Sequence, residues 1–198
     1  KILSADKAEI LGIYGQNGSG KTAIVDALYF LQKVMVGADL DQSLEDYMTI
    51  DSDTAEIFAD FNIFMDGIVF EIGYTLSLSR EEKEIVINRE ILRSAKNENG
   101  IRTNKTTFMD YQRDQTDVIF KPQKRLDEIL EANKEIKTDL IVARKMAEKS
   151  NCSYIFGESS REIFCREYKN GFQQFSVIIS SLFEFALKDL FVIRNTHS

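Results

Sequence analysis

Ile10-Leu11-Gly12-Ile13-Tyr14-Gly15-Gln16-Asn17-Gly18-Ser19-Gly20-Lys21-Thr22-Ala23 is the stretch on which the fold turns. Its first five residues are a short apolar run that stops at a glycine, the pattern of a strand buried on both faces. Its middle is rich in glycine. Beyond it, Ile24, Ala27, Leu28, Leu31, Val34 and Met35 recur at helical spacing, which predicts a helix from Lys21 to Val36 with Gly37 as its stop. Strand, glycine-rich loop and helix are therefore contiguous.

The loop fits G-x-x-x-x-G-K-[ST] over Gly15, Gln16, Asn17, Gly18, Ser19, Gly20, Lys21 and Thr22. Each fixed position has a physical reason. Glycines let the backbone turn tightly and press successive N–H groups, on to Ala23, against phosphate oxygens. The helix that follows offers free N–H groups and the positive end of its dipole to an anion. Lys21 reaches the β- and γ-phosphates as a point charge, and the Thr22 hydroxyl completes a Mg²⁺ shell. The bland alternative is a chance glycine-rich turn. That pattern arises in on the order of one chain in a hundred of this size. The flanking strand and helix lower that further, so the expected ligands are ATP and Mg²⁺.

Outward from the loop, the period changes from helical to alternating. Ile57, Ala59, Phe61 and Ile63 alternate with Phe58, Asp60 and Asn62, and Ile68, Phe70, Ile72, Tyr74, Leu76 and Leu78 alternate with polar residues. Asp66-Gly67 between the two runs is a favoured hairpin turn. Ile85, Ile87 and Ile91 mark a third strand after the charged turn Arg80-Glu81-Glu82-Lys83, and Asn97-Glu98-Asn99-Gly100 is the next turn. Residues 55–95 thus read as an antiparallel meander that packs an apolar face on the phosphate-binding lobe, with a shorter strand at 117–120. Pro122 suits a helix start. Helices are expected over 124–135, 138–149 and 172–192. The organisation expected is α/β: a P-loop NTPase lobe over 1–121 carrying the antiparallel insert, then a mainly helical subdomain or the start of a helical arm over 122–198.

The chain has 198 residues, 43% of them hydrophobic and 29% charged, with a net charge of −7. That supports a substantial core. It does not favour general nucleic-acid binding, which needs clustered Lys and Arg, so DNA is not indicated by charge. Cys152 and Cys165 fit no metal or redox spacing and read as reduced thiols. No signal peptide or apolar run of the ~18 residues needed to cross a membrane is present, so a cytoplasmic setting is expected. The chain opens at Lys1, close to a strand, and reads as a piece of a longer protein.

The stretch Ile10–Leu31, with its Asn-Gly-Ser-Gly-Lys loop followed by Asp26-Ala27-Leu28, resembles the N-terminal part of ABC-type ATPases of the SMC/RecF/OLD group. It is less like AAA+ proteins, which often carry proline before the glycines. Phe64, Asp66, Gly67, Phe70, Glu71, Gly73 and Tyr74 resemble the hairpin of OLD-like AAA-family ATPases, many of which serve abortive infection and phage defence. The resemblance implies an ATPase that dimerises with ATP between its subunits. It also implies a signature loop, a Walker B acid pair and a switch histidine. The sequence offers no convincing version of these. Leu76-Ser77-Leu78-Ser79-Arg80-Glu81 lacks the signature glycine and reads as strand and turn. Ile57-Phe58-Ala59-Asp60 lacks the second acid, and His197 sits beside the terminus. Gln112 and Gln115 are the candidates for a Mg²⁺-sensing glutamine, with solvated loop residues as the simpler reading. Catalytic residues are thus unassigned. Phage defence is favoured over DNA metabolism or control of an attached nuclease. A kinase or other P-loop switch is the alternative class. A guanine switch is disfavoured because Asn104-Lys105-Thr106-Thr107 lacks the required Asp.

Overall fold

The computed structural model describes residues 20–41, 44, 48, 52–82, 84–115, 119–120, 127–128, 130–131 and 134–192. The expected strand Ile10–Tyr14, residues Gly15–Ser19 of the loop, Pro122 and His197 lie outside the described residues. Helix α1 runs Lys21–Met35. Strands β1 (Thr54–Met65), β2 (Ile68–Glu81), β3 (Glu84–Glu98), β4 (Ile101–Arg102), β5 (Thr106–Gln112) and β6 (Ile119–Phe120) follow. Helices α2 (Lys134–Ser150), α3 (Glu158–Arg166) and α4 (Gln173–Glu184) close the described chain. Among the described residues no helix is long and apolar enough to cross a membrane.

The strands make one antiparallel sheet in the order β1-β2-β3-β5-β6, with β4 paired to β3. The turns are set by local chemistry. Asp66 and Gly67 both take positive φ, 49° and 79°, as a two-residue type I′ hairpin demands. Asn99 and Gly100 repeat the device between β3 and β4, at 51° and 80°. Both match the turns read from sequence.

The alternation on β2 is as expected: Phe70, Ile72, Tyr74, Leu76 and Leu78 are buried in the main core. On β3 it needs a correction. Ser77 pairs with Arg89 and Leu78 with Ile87, so Asn88 is bulged out of the ladder. A bulge reverses the face of every residue beyond it. Ile85 and Ile87 face the main core, but past the bulge Glu90 and Leu92 do. Ile91 pairs with Thr75 on the other face, where Val86 and Ala95 are also buried.

α1 matches its expected bounds to within one residue, and its stop has a mechanism. Gly37 sits at φ 69°, its N–H donates to Val34 O, and Ala38 N–H reaches back to Lys33 O. That is the paired closure that satisfies the last carbonyls of a helix. α1 buries Phe30, Leu31, Val34 and Met35, whereas Ile24 and Leu28, expected on the same apolar face, are 45% and 39% exposed.

The C-terminal helices differ from the expected bounds. α2 begins at Lys134, ahead of the expected 138. α4 ends at Glu184 and passes into a π-helical turn, Phe185–Asp189, instead of continuing to Val192. α3 and β5 were not foreseen. Ile136, Leu140 and Ala143 of α2, Ile163 and Phe164 of α3, and Ile178 and Leu182 of α4 share one hydrophobic core with β2, β3, β5 and α1.

Candidate nucleotide site and its support

The phosphate-loop residues that are described stand at the start of α1. Gly20 caps the helix in the left-handed region, φ 81° and ψ 9°, a conformation that suits glycine. A Cβ there would meet nothing within 4 Å, so backbone conformation, not crowding, selects glycine. Lys21 is the first helical residue, and Thr22 and Ala23 are exposed. The first turn of α1 carries no acid, and Gly20 supplies no side-chain cap to its N–H groups. An exposed threonine one residue into a helix whose first turn carries no acid is compatible with a phosphate-bound Mg²⁺. Residues Gly15–Ser19 and the Lys21 side chain lie outside the described residues.

The other expected participants are placed elsewhere. Asp60 projects from β1 and pairs with Lys105 at 2.6 Å, and Glu71 on β2 pairs with Arg102. Leu76–Glu81 lies within β2, as the strand reading had it. Gln112 ends β5 half-buried, with its carbonyl accepting from Arg144, and Gln115 is exposed. Neither glutamine is described in contact with Gly20 or Thr22. Cys152 and Cys165 are free thiols, and burial pushes Cys152 up to about 11, which keeps it protonated. Among the described residues no cluster of His, Cys, Asp and Glu could hold a metal.

The far end of α1 is held by a buried loop that sequence reasoning missed. Asn151 takes the left-handed position after α2, at φ 48°, and Cys152 N–H reaches back to Ala147 O. The Asn151 amide then donates to Leu40 O at 3.0 Å and Ile85 O at 2.6 Å, while Leu40 N–H donates to Asn151 O. Residues 153–157 that follow are all buried. A buried loop must find partners for its backbone groups. Glu90 supplies them. Its Oε2 accepts from Tyr154 N–H at 2.8 Å and Ile155 N–H at 3.4 Å, and its Oε1 accepts from the Tyr74 and Ser153 hydroxyls at 2.7 and 2.5 Å. Ser153 Oγ in turn accepts from Phe156 N–H. Burial holds the Glu90 carboxyl above the ordinary glutamate range, although all four donors pull the other way.

The same loop abuts the Gly37 closure. A Cβ on Gly37 would lie 2.7 Å from Phe156 O. On the other side, Gln32 of α1 donates to Ala186 O of the π-helical turn and to Leu190 O just beyond it. The helix whose first turn carries Lys21 and Thr22 is thus anchored at its other end to β3 through Asn151, to the loop, and to the last described turn. The signal for the Glu90 clamp was a lone acid in an alternating strand, followed some sixty positions on by a Ser-aromatic loop.

No match was found among the curated proteins or among the solved structures. A family model described as "AAA domain, putative AbiEii toxin, Type IV TA system" matches residues 10–141, more than half of the chain and all of the glycine-rich loop. Members of such a family are P-loop ATPase-type proteins, in keeping with the mixed α/β architecture and with a helix that begins at Lys21, so the chain belongs to this AAA-domain family.

Proposed function

We propose that the chain is the ATP-binding part of an ATPase of the SMC/RecF/OLD-like group and holds Mg-ATP through Gly15–Thr22. In this reading the backbone N–H groups of Gly15–Gly20 and Ala23 surround the phosphates. Lys21 neutralises the β- and γ-oxygens, and Thr22 directs its hydroxyl to Mg²⁺. The antiparallel sheet is the insert of an OLD-like lobe over 1–121, and 122–198 forms or leads into a helical subdomain or arm. Hydrolysis draws on a Walker B acid pair and a signature loop, and two copies close on ATP. The setting is bacterial phage defence in preference to DNA metabolism. The family description's naming of a putative AbiEii toxin supports that choice.

The observation that carries the reading is the start of α1 at Lys21, with no acid in its first turn, directly after left-handed Gly20. Calorimetric titration with Mg-ATP, beside a thermal melt, tests it. Lys21→Ala is expected to remove most of the affinity and leave the melt unchanged. Equal affinity in both proteins would refute the site, and an unfolded variant would give Lys21 a structural role instead.

A further inference from the structure

A groove of about 750 Å³ opens where the end of the sheet meets the start of α4, lined among the described residues by Ser94, Lys96, Thr103, Thr106, Thr107, Phe108 and Gln174. Its volume is that of a drug-sized ligand site. None of these residues belongs to the glycine-rich loop. The groove lies beside a second bulge. Leu92 pairs with Met109 and Arg93 with Thr107, so Phe108 is extra in β5. The bulge leaves Met109 in the core and also turns Phe108 inward, where its ring meets Phe175 at 5.2 Å. Bulges re-aim side chains at sites in this way. Thr106, which pairs with Ser94, stands just beyond the kink.

Three features of the groove favour an anion. Ser94 is 7% exposed, and its hydroxyl has no hydrogen-bond partner among the described residues. Burying a hydroxyl without a partner is unfavourable, and an acceptor brought into the groove would relieve it. Lys96 is the one charged residue in the described lining and joins no ion pair among the described residues. Its ammonium lies 5.5 Å from the Phe70 ring centroid, and its backbone N–H and C=O are tied to the Thr103 hydroxyl. The third feature is the start of α4, a helix of twelve residues with no acid in its first turn and no side-chain cap, which brings Gln174 to the groove. The rest of the described lining is Phe108 and the threonines Thr103, Thr106 and Thr107.

We propose that this groove binds a small organic anion, a phosphate or carboxylate joined to an apolar or aromatic body, at a site separate from the P-loop. The oxyanion faces Lys96, Ser94 and the first turn of α4, and the body lies against Phe108. Both headgroup chemistries fit the same donors, so the probes must separate them.

Amide NMR titration of the whole chain with phenyl phosphate, with benzoate and with neutral benzyl alcohol tests the site. Saturable shifts are expected at Ser94, Lys96, Thr106, Thr107 and Gln174 with an anion, and they persist in Lys21→Ala. Saturation by either anion upholds the proposal, and the tighter one names the headgroup. Lys96→Met, at an exposed position, is expected to weaken binding about tenfold or more. Ser94→Ala is expected to weaken it several-fold while the fold melts no earlier, because the change removes an unpaired hydroxyl. No shift at these amides, equal binding of benzyl alcohol, or unchanged affinity in Lys96→Met would overturn it. Failure in Lys21→Ala alone would assign the anion to the P-loop.

Discussion

Glu90 accepts a hydrogen bond from the backbone N–H of Tyr154 at 2.8 Å, across 64 positions of sequence. It is a carboxyl group with no exposed surface, on which two backbone N–H groups of the buried loop and the Ser153 and Tyr74 hydroxyls converge. Glu90→Gln sets an NH₂ group against some of those donors and is expected to cost about 2–4 kcal/mol in urea unfolding. An unchanged midpoint would show that the loop finds other partners.

The same residue sets a pH dependence. Its folded pKa is raised, chiefly by burial. Between its unfolded and folded values the folded chain holds the extra proton. Stability from this group is therefore fully present below the ordinary glutamate range and is lost as pH rises through the folded pKa. Glu90→Gln cannot titrate there. The stability advantage of wild type over the variant is expected to narrow as pH rises across that window, read from urea midpoints at stepped pH. Parallel pH profiles would mean that Glu90 titrates normally.

Gly37 and Gly67 have similar φ, 69° and 79°, but different surroundings. A Cβ at Gly67 meets open space, so Gly67→Ala is expected to cost only the backbone strain, about 1 kcal/mol. At Gly37 the methyl also meets Phe156 O, and the cost is expected to be about 2–4 kcal/mol. Equal midpoint shifts for the two variants would show that Phe156 moves aside freely.

Much of the fold was legible because its signals are local. Asp66-Gly67, Asn99-Gly100 and Gly37 each state their turn within two residues, and the alternation on β1 and β2 needs no partner to be read. The bulges at Asn88 and Phe108 have no such mark. They follow from how strands of unequal demand align, so the facing of Glu90 and Ile91 could not be read from β3 alone. α3 was hidden for another reason. Its nine residues bury only Ser160, Ile163 and Phe164, and the apolar Tyr154-Ile155-Phe156 before it imitates a strand. At the site, the motif announced Lys21 and Thr22, but nothing near them announced Asn151, Gln32 or Glu90, whose partners are far away in sequence.

Arg144 joins α2 to the end of β5. Its Nη2 donates to Gln112 O at 2.9 Å and to Arg113 O at 2.8 Å, and its Nε pairs with Glu148. A single ammonium lacks the planar fork that spans these partners. Arg144→Lys is therefore expected to lose about 2 kcal/mol in urea unfolding, despite keeping the charge. A loss below a few tenths would show that charge alone is used.

Binding without turnover is the kinetic expectation for this chain. Phosphate cradling needs the loop and the start of α1, whereas hydrolysis needs an acid on Mg²⁺ and an oriented water. Asp60 and Glu71, the acids that could substitute, are tied to Lys105 and Arg102 on the sheet. Phosphate release by the purified chain is expected to stay at the level of Lys21→Ala. Clear turnover that disappears in Lys21→Ala would mean that these 198 residues contain a complete catalytic set.

The anchors of α1 also fix an order of events during synthesis. Leu40 waits for Asn151, 111 residues on, and Gln32 waits for Leu190, 158 residues on. At about 5–20 residues per second on the ribosome, α1 emerges many seconds before the segments that hold its far end. The hairpins between can close meanwhile, since each needs only its own two strands. A nascent chain halted before Asn151 would present the glycine-rich loop on an unanchored helix.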